Sequence, residues 1–258
     1  MMKAKQAGFG WRTWVVSIAM LVTAFGLPGG PAIAQDGEPQ FTTEFRFKDC
    51  KFKNKGVNPF FILKPGYQLV FEGEEDGDLL RVVKTVLNKT ETIDVPGIGK
   101  IRTRVLKEQE YVNGRLVEES LNFFAICEKT NDVVYFGEEV DIFLPNGTIV
   151  HDGAWRAGVD GALPGIIMPG TFLLGSRYFQ EQAPNAMDQA EHVEMGLTME
   201  TEAGTFNGCV RIIETSPLEP GAESEKIYCP GVGLVVDNDV ELVEINSKKN
   251  GKGGDADD

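Results

Sequence analysis

The chain has 258 residues, of which 42% are apolar, with 30 glycines and 13 prolines. This composition indicates a globular protein rich in turns, and it excludes a wholly disordered chain and a membrane protein with many spans. The 25 basic residues stand against 39 acidic ones, a formal net charge of −14. That balance argues against nucleic acid as a partner, because duplex binding depends on Lys and Arg neutralising phosphates.

The first 34 residues have the pattern of a secretory signal peptide. Basic residues at the start precede an apolar run over residues 14–27, and the small-residue motif Ala32-Ile33-Ala34 follows it. Because this run is shorter than the roughly 20 residues that span a bilayer, the sequence favours cleavage over a retained anchor. The predicted location is therefore periplasmic or secreted, with no transmembrane segment after cleavage.

The rest of the chain is predicted to consist mostly of strands. Its predicted parts are a polar N-terminal lead-in (35–58), a first β module (59–157), a Gly/Pro-rich crossover loop (158–172), a second β module (173–246) and a disordered tail (247–258). The clearest hairpin is at Asn113-Gly114, which supplies the positive-φ pair that a type I′ turn requires. The predicted fold is mainly β, an antiparallel curved sheet or half-barrel.

A faint internal repeat suggests that the two β modules are related. Residues 65–72 resemble residues 174–181, and each stretch is followed by a basic, β-branched strand and a hairpin. The alternative is that β meanders resemble one another whatever their ancestry. If the repeat is real, it favours two copies of one antiparallel unit over a βαβ fold.

The acidic turn over residues 74–78 is the best candidate for a metal site. Glu74, Asp76 and Asp78 alternate as the oxygen ligands of a Ca²⁺ loop do, and Gly77 permits a sharp bend. The twelve-residue pattern of an EF-hand is absent, so a charged hairpin tip is the alternative. Calcium is the one cofactor that the sequence suggests.

Four cysteines lie beyond the predicted signal peptide, and in an oxidising compartment they are expected to form disulfides. Cys209 and Cys229 lie on two predicted strands joined by one turn, which makes their pairing plausible and would leave Cys50 for Cys127. Four cysteines nevertheless allow three connectivities, and the spacing does not choose among them. A zinc site is disfavoured because the chain has no CxxC pair.

No catalytic motif is present, and the chain lacks GxSxG, HExxH and a phosphate-binding loop. A polar set in the second half of the chain, together with one tryptophan, could instead line a ligand cleft. Its members are Trp155, Arg177, Phe179, Glu181, Arg211 and Glu214. Strand alternation would place Arg177, Phe179 and Glu181 on one face. A structural network of ion pairs is the alternative interpretation.

Three methionines surround His192, a combination that can bind copper. Strand alternation places His192 and Glu194 on one face and Val193 and Met195 on the other. The sequence therefore predicts an exposed histidine in front of core methionines, and no copper site.

Several motifs resemble an uncharacterised family of exported, β-rich bacterial proteins. They include Pro164-Gly165-Ile166-Ile167-Met168-Pro169 and the run from Tyr228 to Val235, and the similarity covers roughly residues 58–245. The second half is also similar to the β-sheet modules of LolA-like periplasmic lipid carriers. The resemblance implies export and a β fold, and it brings no activity or catalytic residue.

Three functions remain open on this basis. The first is a non-enzymatic binding protein of the bacterial envelope or exterior that holds an apolar or amphipathic ligand, such as a lipid, on a curved sheet. The second is a carboxylate-dependent hydrolase or lyase that acts on an extracellular polymer. The third is a Ca²⁺-binding structural or adhesion module.

Overall fold

The structure is a computed structural model that describes residues 40–247. The predicted signal peptide and residues 248–258 of the predicted tail lie outside this range. The described chain is almost entirely β, as predicted, with one short 3-10 helix at Phe47–Asp49. The strands are β1 (Phe52–Lys53), β2 (Gly56–Asn58), β3 (Phe61–Leu63), β4 (Tyr67–Glu75), β5 (Asp78–Val95), β6 (Gly99–Val112), β7 (Arg115–Cys127), β8 (Val133–Phe143), β9 (Ile149–Val150), β10 (Trp155–Arg156), β11 (Leu163–Met168), β12 (Arg177–Phe179), β13 (Glu181–Gln182), β14 (Gln189–Thr201), β15 (Gly204–Thr215), β16 (Glu223–Cys229), β17 (Gly233–Asp237) and β18 (Val240–Ser247).

Sixteen of these strands form one curved antiparallel sheet, and β2 and β3 pair separately. The order along the sheet is β12-β14-β15-β16-β17-β18-β4-β5-β6-β7-β8-β11-β13, with β1, β9 and β10 attached at the side. Strands from both predicted modules therefore belong to one sheet, and they meet where β18 pairs with β4.

The sheet is curved so strongly that one short segment of the chain pairs with both of its ends. Only Gln180 separates β12 from β13, yet β12 pairs with β14 at one end of the sheet and β13 pairs with β11 at the other. Side chains of strands that are not neighbours meet on one side of the curve. Lys84 Nζ on β5 lies 3.0 Å from Asp237 Oδ2 on β17, although β4 and β18 lie between these strands. We call this concave side the inner face.

Tight two-residue turns set the register of the longest strands. Asn113 and Gly114, between β6 and β7, have φ values of 50° and 76°, which confirms the predicted hairpin. Asp76 and Gly77, between β4 and β5, have φ values of 50° and 89°. Few residues other than Gly, Asn and Asp adopt this left-handed conformation readily, so these pairs fix where each hairpin reverses.

The segment before β2 is part of the core, and its description as a polar lead-in is wrong for this part. The Phe52 ring packs edge-to-face on Phe136 at 5.3 Å, and Phe47 lies 6.4 Å from Phe52. A disulfide joins Cys50 to Cys127 at the end of β7. The aromatic side chains bury apolar area, and the cross-link holds the segment against the sheet.

The Gly/Pro-rich stretch predicted as a crossover loop contains a strand. Residues of β11 pair with β8 on one side and with β13 on the other. Gly165 makes this close packing possible, because a side chain there would clash with the backbone oxygens of Phe179 and Gln180. The glycine that suggested a loop is instead required by a close approach of two backbones.

The second disulfide joins Cys209 to Cys229, the pairing that the sequence made plausible. Cys209 precedes Val210 and Cys229 follows Tyr228, so the two cysteines lie one position beyond the register pair Val210↔Tyr228 of β15 and β16. The cross-link therefore closes the end of this ladder.

Candidate functional site

The inner face carries a chain of alternating charges. Lys84 Nζ lies 3.0 Å from both Glu108 Oε1 and Asp237 Oδ2, and Lys226 bonds the other oxygen of Asp237. Lys226 also lies 3.9 Å from Glu214 Oε2. These five side chains are 12–19% exposed. Burial alone would raise the pKa of Asp237, but the two ammonium groups outweigh burial and hold it well below its usual value.

Further carboxyl groups extend this network without added cations. Glu110 and Glu118 lie directly opposite each other on β6 and β7, and Glu138 on β8 lies opposite Asn122 of β7. Burial, reinforced by neighbouring carboxylates, raises the pKa of Glu110 to about 8 and those of Glu118 and Glu138 to about 7. Like charges opposite each other on a sheet repel, so these groups hold protons near neutral pH.

A pocket of about 280 Å³ opens beside this network. One part of its lining is acidic and consists of Glu138, Glu181, Asp188 and Glu219. Another part is apolar and consists of Trp155, Met187 and Leu218 with the ring of Tyr135. The Tyr135 ring packs edge-to-face on Trp155 at 5.1 Å, and its hydroxyl donates to Asn122 Oδ1 at 2.5 Å. Both aromatic side chains are therefore fixed in place.

Glu181 is the most deeply buried acid of the pocket. Its side chain is 3% exposed, and Oε1 accepts the backbone N–H of Asp188 at 2.8 Å. Burial, followed by the nearby Asp188 charge, raises the pKa of Glu181 well above its usual value. We infer that Glu181 keeps a proton while the pocket holds no ligand.

The structure brings three of the six predicted cleft residues to this region. Trp155 and Glu181 line the pocket, and Glu214 belongs to the adjoining charge network, where it accepts from Gln180 Nε2 at 2.7 Å. The chain bends at Gln180 between β12 and β13, which ends the strand alternation before Glu181 is reached.

The other three residues make contacts outside the pocket lining. Arg177 pairs with Glu191 at 2.6 Å, and Arg211 lies 3.4 Å from Glu225. The Phe179 ring packs edge-to-face on a second phenylalanine at 6.2 Å. The structural interpretation of ion pairs therefore describes the two arginines.

The acidic turn predicted as a Ca²⁺ loop forms the reversal of the β4–β5 hairpin. Asp76 occupies the first turn position, and Asp78 Oδ1 accepts from Asn113 Nδ2 at 2.7 Å. Within residues 40–247, no three side chains of His, Cys, Asp or Glu are grouped closely enough to hold a metal ion. The structure therefore does not assemble Glu74, Asp76 and Asp78 into a set of ligands.

The prediction of an exposed His192 is wrong. The imidazole is 1% exposed, whereas Val193 and Met195 are 42% and 54% exposed. The ladder between β14 and β15 is irregular on both sides of Glu194, and Gly196 has a positive φ of 83°. Such irregularities shift side chains to the opposite face, and alternation in the sequence does not show them.

The residues that sequence reasoning missed are the exposed Asp188 of the pocket and the partly buried charges of the inner face: Lys84, Glu108, Glu110, Glu118, Glu138, Lys226 and Asp237. One signal was available, since Lys84 and Lys226 interrupt runs that otherwise predict strands. A charge at a position facing the core needs a partner.

In the described part of the chain, no helix is both long and apolar enough to cross a bilayer. Comparisons with known protein families, with curated proteins and with solved structures found no match.

Proposed function

We propose that this chain is an exported, non-enzymatic binding protein and that it holds a small amphipathic molecule in the pocket at the edge of the inner face. The observation that supports this proposal is a cavity of about 280 Å³ whose lining combines apolar side chains with carboxyl groups. Binding pockets for small molecules are concave and mostly apolar, with a few polar groups that fix the orientation of the ligand.

The two kinds of lining side chain have separate roles in this proposal. Trp155, Met187 and Leu218 supply contact area for an aliphatic or aromatic group. Glu138 and Glu181 line the same cavity and would orient the polar end of the ligand. A wholly apolar ligand would leave these carboxyl groups without a solvent or ligand partner, which is costly. Within the predicted ligand class, the geometry therefore favours an amphipathic molecule.

The two disulfides support a site of action outside the cytoplasm. Both join segments of the described domain, Cys50 to Cys127 and Cys209 to Cys229. Disulfides of this kind persist in oxidising compartments and are rare where thiols are kept reduced. Together with the signal pattern over residues 1–34, they favour a periplasmic or secreted protein.

Three probes with the same eight-carbon chain test the proposal: 1-octanol, octylammonium and octanoate. We expect at least one of them to bind saturably, with one site per chain, in titration calorimetry. The variant Leu218→Ser should weaken that binding about tenfold, because it removes apolar contact area from the pocket lining without adding a charge. Leu218 is 47% exposed, so the substitution leaves the core intact.

Leu79→Ser is the matched control, since Leu79 is 62% exposed and lies at a hairpin away from the pocket lining. It should bind the probe as the parent protein does. Absence of saturable binding by all three probes, or equal binding by Leu218→Ser and the parent, would contradict the proposal.

A further inference from the structure

The pocket lining carries carboxyl groups but no basic side chain to balance them. The pocket lining includes four carboxyl groups, and none of its residues, all of them described, is Lys or Arg. Lys226 acts on Asp188 from a distance, but its ammonium group is already engaged by Asp237 and Glu214. A ligand that enters the pocket therefore meets carboxyl groups that lack a cation of their own.

Glu181 is the most buried of these carboxyl groups. Its side chain is 3% exposed and lines the cavity, and its one hydrogen bond to the backbone comes from the Asp188 N–H. The side chains that act on it are further carboxyl groups, those of Asp188, Glu138 and Glu214. A buried carboxyl group of this kind either keeps a proton or accepts a cation, because an isolated buried charge is strongly unfavourable.

The charged groups around Glu181 and Asp188 belong to several elements that pack together. Glu138 on β8 and Glu214 on β15 act on Glu181, while Lys226 on β16 and Glu219, in the turn after β15, act on Asp188. Tyr135 on β8 and Ser216 complete the polar surroundings. Acids outnumber bases in this set, so the local potential favours a positive ligand.

We propose that the polar end of the ligand is a cation, an ammonium or guanidinium group, that sits against Glu181 and Asp188 and displaces the proton from Glu181. This inference rests on the proposed function and names its ligand class. The exchange is balanced: one cation enters, one proton leaves to solvent, and the pocket becomes doubly ionised. An ammonium or guanidinium group supplies several donors, and hydrogen bonds between ionised partners are about twice as strong as neutral ones.

The same three eight-carbon probes test the inference, because they share a tail and differ in charge. At pH 7 we expect octylammonium to bind at least about tenfold more tightly than 1-octanol, and octanoate to bind most weakly. Between pH 5.5 and pH 7.5 the affinity for octylammonium should rise, at most about tenfold per pH unit for one displaced proton. The affinity for 1-octanol should not rise.

Two further measurements separate proton exchange from simple attraction. The heat of octylammonium binding should differ between phosphate and Tris buffers at the same pH, since each buffer takes up the released proton with its own enthalpy. Glu181→Gln should weaken octylammonium binding about tenfold and leave 1-octanol unchanged. Glu194→Gln, at an exposed position outside the pocket lining, is the matched control.

The outcomes distinguish the inference from the proposed function. Binding of 1-octanol or octanoate as tight as that of octylammonium would overturn the inference and leave the amphipathic pocket standing. Failure of every probe would instead remove the pocket itself. If Glu181→Gln unfolds, Asp188→Asn provides the same test at an exposed position of the pocket lining.

Discussion

The imidazole ring of His192 is neutral and is enclosed by three neighbouring residues. The ring stacks on Phe172 at 3.9 Å, Nδ1 lies 3.2 Å from the Leu173 carbonyl, and Nε2 lies 2.8 Å from the Tyr178 hydroxyl. A carbonyl oxygen can only accept, so Nδ1 carries the hydrogen and Nε2 accepts from Tyr178. Burial lowers the pKa of His192 to about 4, which keeps the ring neutral near pH 7.

This geometry predicts the cost of removing the imidazole. His192→Phe keeps the stacked ring but leaves the Leu173 carbonyl and the Tyr178 hydroxyl without their partner, which should cost about 2–3 kcal/mol of unfolding free energy. Tyr178→Phe breaks only the second bond and should cost about 1–1.5 kcal/mol. Urea unfolding at pH 7 measures both variants. A His192→Phe protein as stable as the parent would show that these hydrogen bonds contribute nothing net.

The two disulfides differ in the length of chain that each one closes. Cys50–Cys127 spans a sequence separation of 77 residues and ties the aromatic N-terminal segment to β7, whereas Cys209–Cys229 spans 20 residues between adjacent strands. Cross-links restrict the unfolded chain more when the closed loop is longer. The longer link should therefore contribute more to stability.

Two double variants test this order, Cys50→Ala with Cys127→Ala and Cys209→Ala with Cys229→Ala. Loop entropy predicts losses of about 4.5 and about 3.3 kcal/mol respectively. Chemical denaturation of the oxidised variants gives the two values directly. A larger loss for the shorter loop would mean that local packing around Cys209, and not chain restriction, dominates its contribution.

Elements that depend on local chemistry could be predicted from the sequence. The Asn113-Gly114 hairpin follows from the dihedral angles that only a few residues tolerate, and the β class follows from repeated apolar alternation. The position of Glu181 could not be predicted, because alternation assumes a regular strand and the chain bends at Gln180. His192 was misplaced for a similar reason, since the irregular ladder around Glu194 shifts the faces of β14.

The charged inner face could not be predicted because its partners are far apart in sequence. Lys84 meets Asp237 across 153 residues, and Gln180 meets Glu214 across 34. Local periodicity shows that a strand has two faces but not which face turns inward when a sheet curves. The sequence predicted a curved sheet that holds an apolar or amphipathic ligand, and the structure places carboxyl groups on part of its concave side.

For the whole molecule, the carboxyl groups of the inner face make the free energy of unfolding depend on pH. Glu118 and Glu138 have pKa values raised to about 7, compared with 4.5 for an unperturbed glutamate. A raised pKa means that the folded state binds more protons than the unfolded state does. The stabilisation that this gives is complete below pH 4.5 and is lost as the pH rises through about 7. His192 acts in the opposite direction, because its lowered pKa costs stability as the pH falls from 6.5 towards 4.

A neutral variant tests this account at one position. Glu118→Gln removes an acid that must otherwise stay protonated in the folded state, so it should stabilise the protein by about 1 kcal/mol at pH 8 and have less effect at pH 5. The exposed Glu200→Gln is the control and should change stability equally at both pH values. Equal effects of Glu118→Gln at pH 5 and pH 8 would show that Glu118 does not bind a proton on folding.

The pH dependence of urea unfolding tests most directly whether the ligand-free inner face stores protons on its carboxyl groups. Each group that holds a proton only in the folded state contributes about 1.4 kcal/mol per pH unit between its two pKa values. We therefore predict that the free energy of unfolding falls by at least about 2 kcal/mol between pH 6.5 and pH 8. A free energy that stays constant or rises over this interval would mean that the inner face is already charge-balanced, with no protons for a cation to displace.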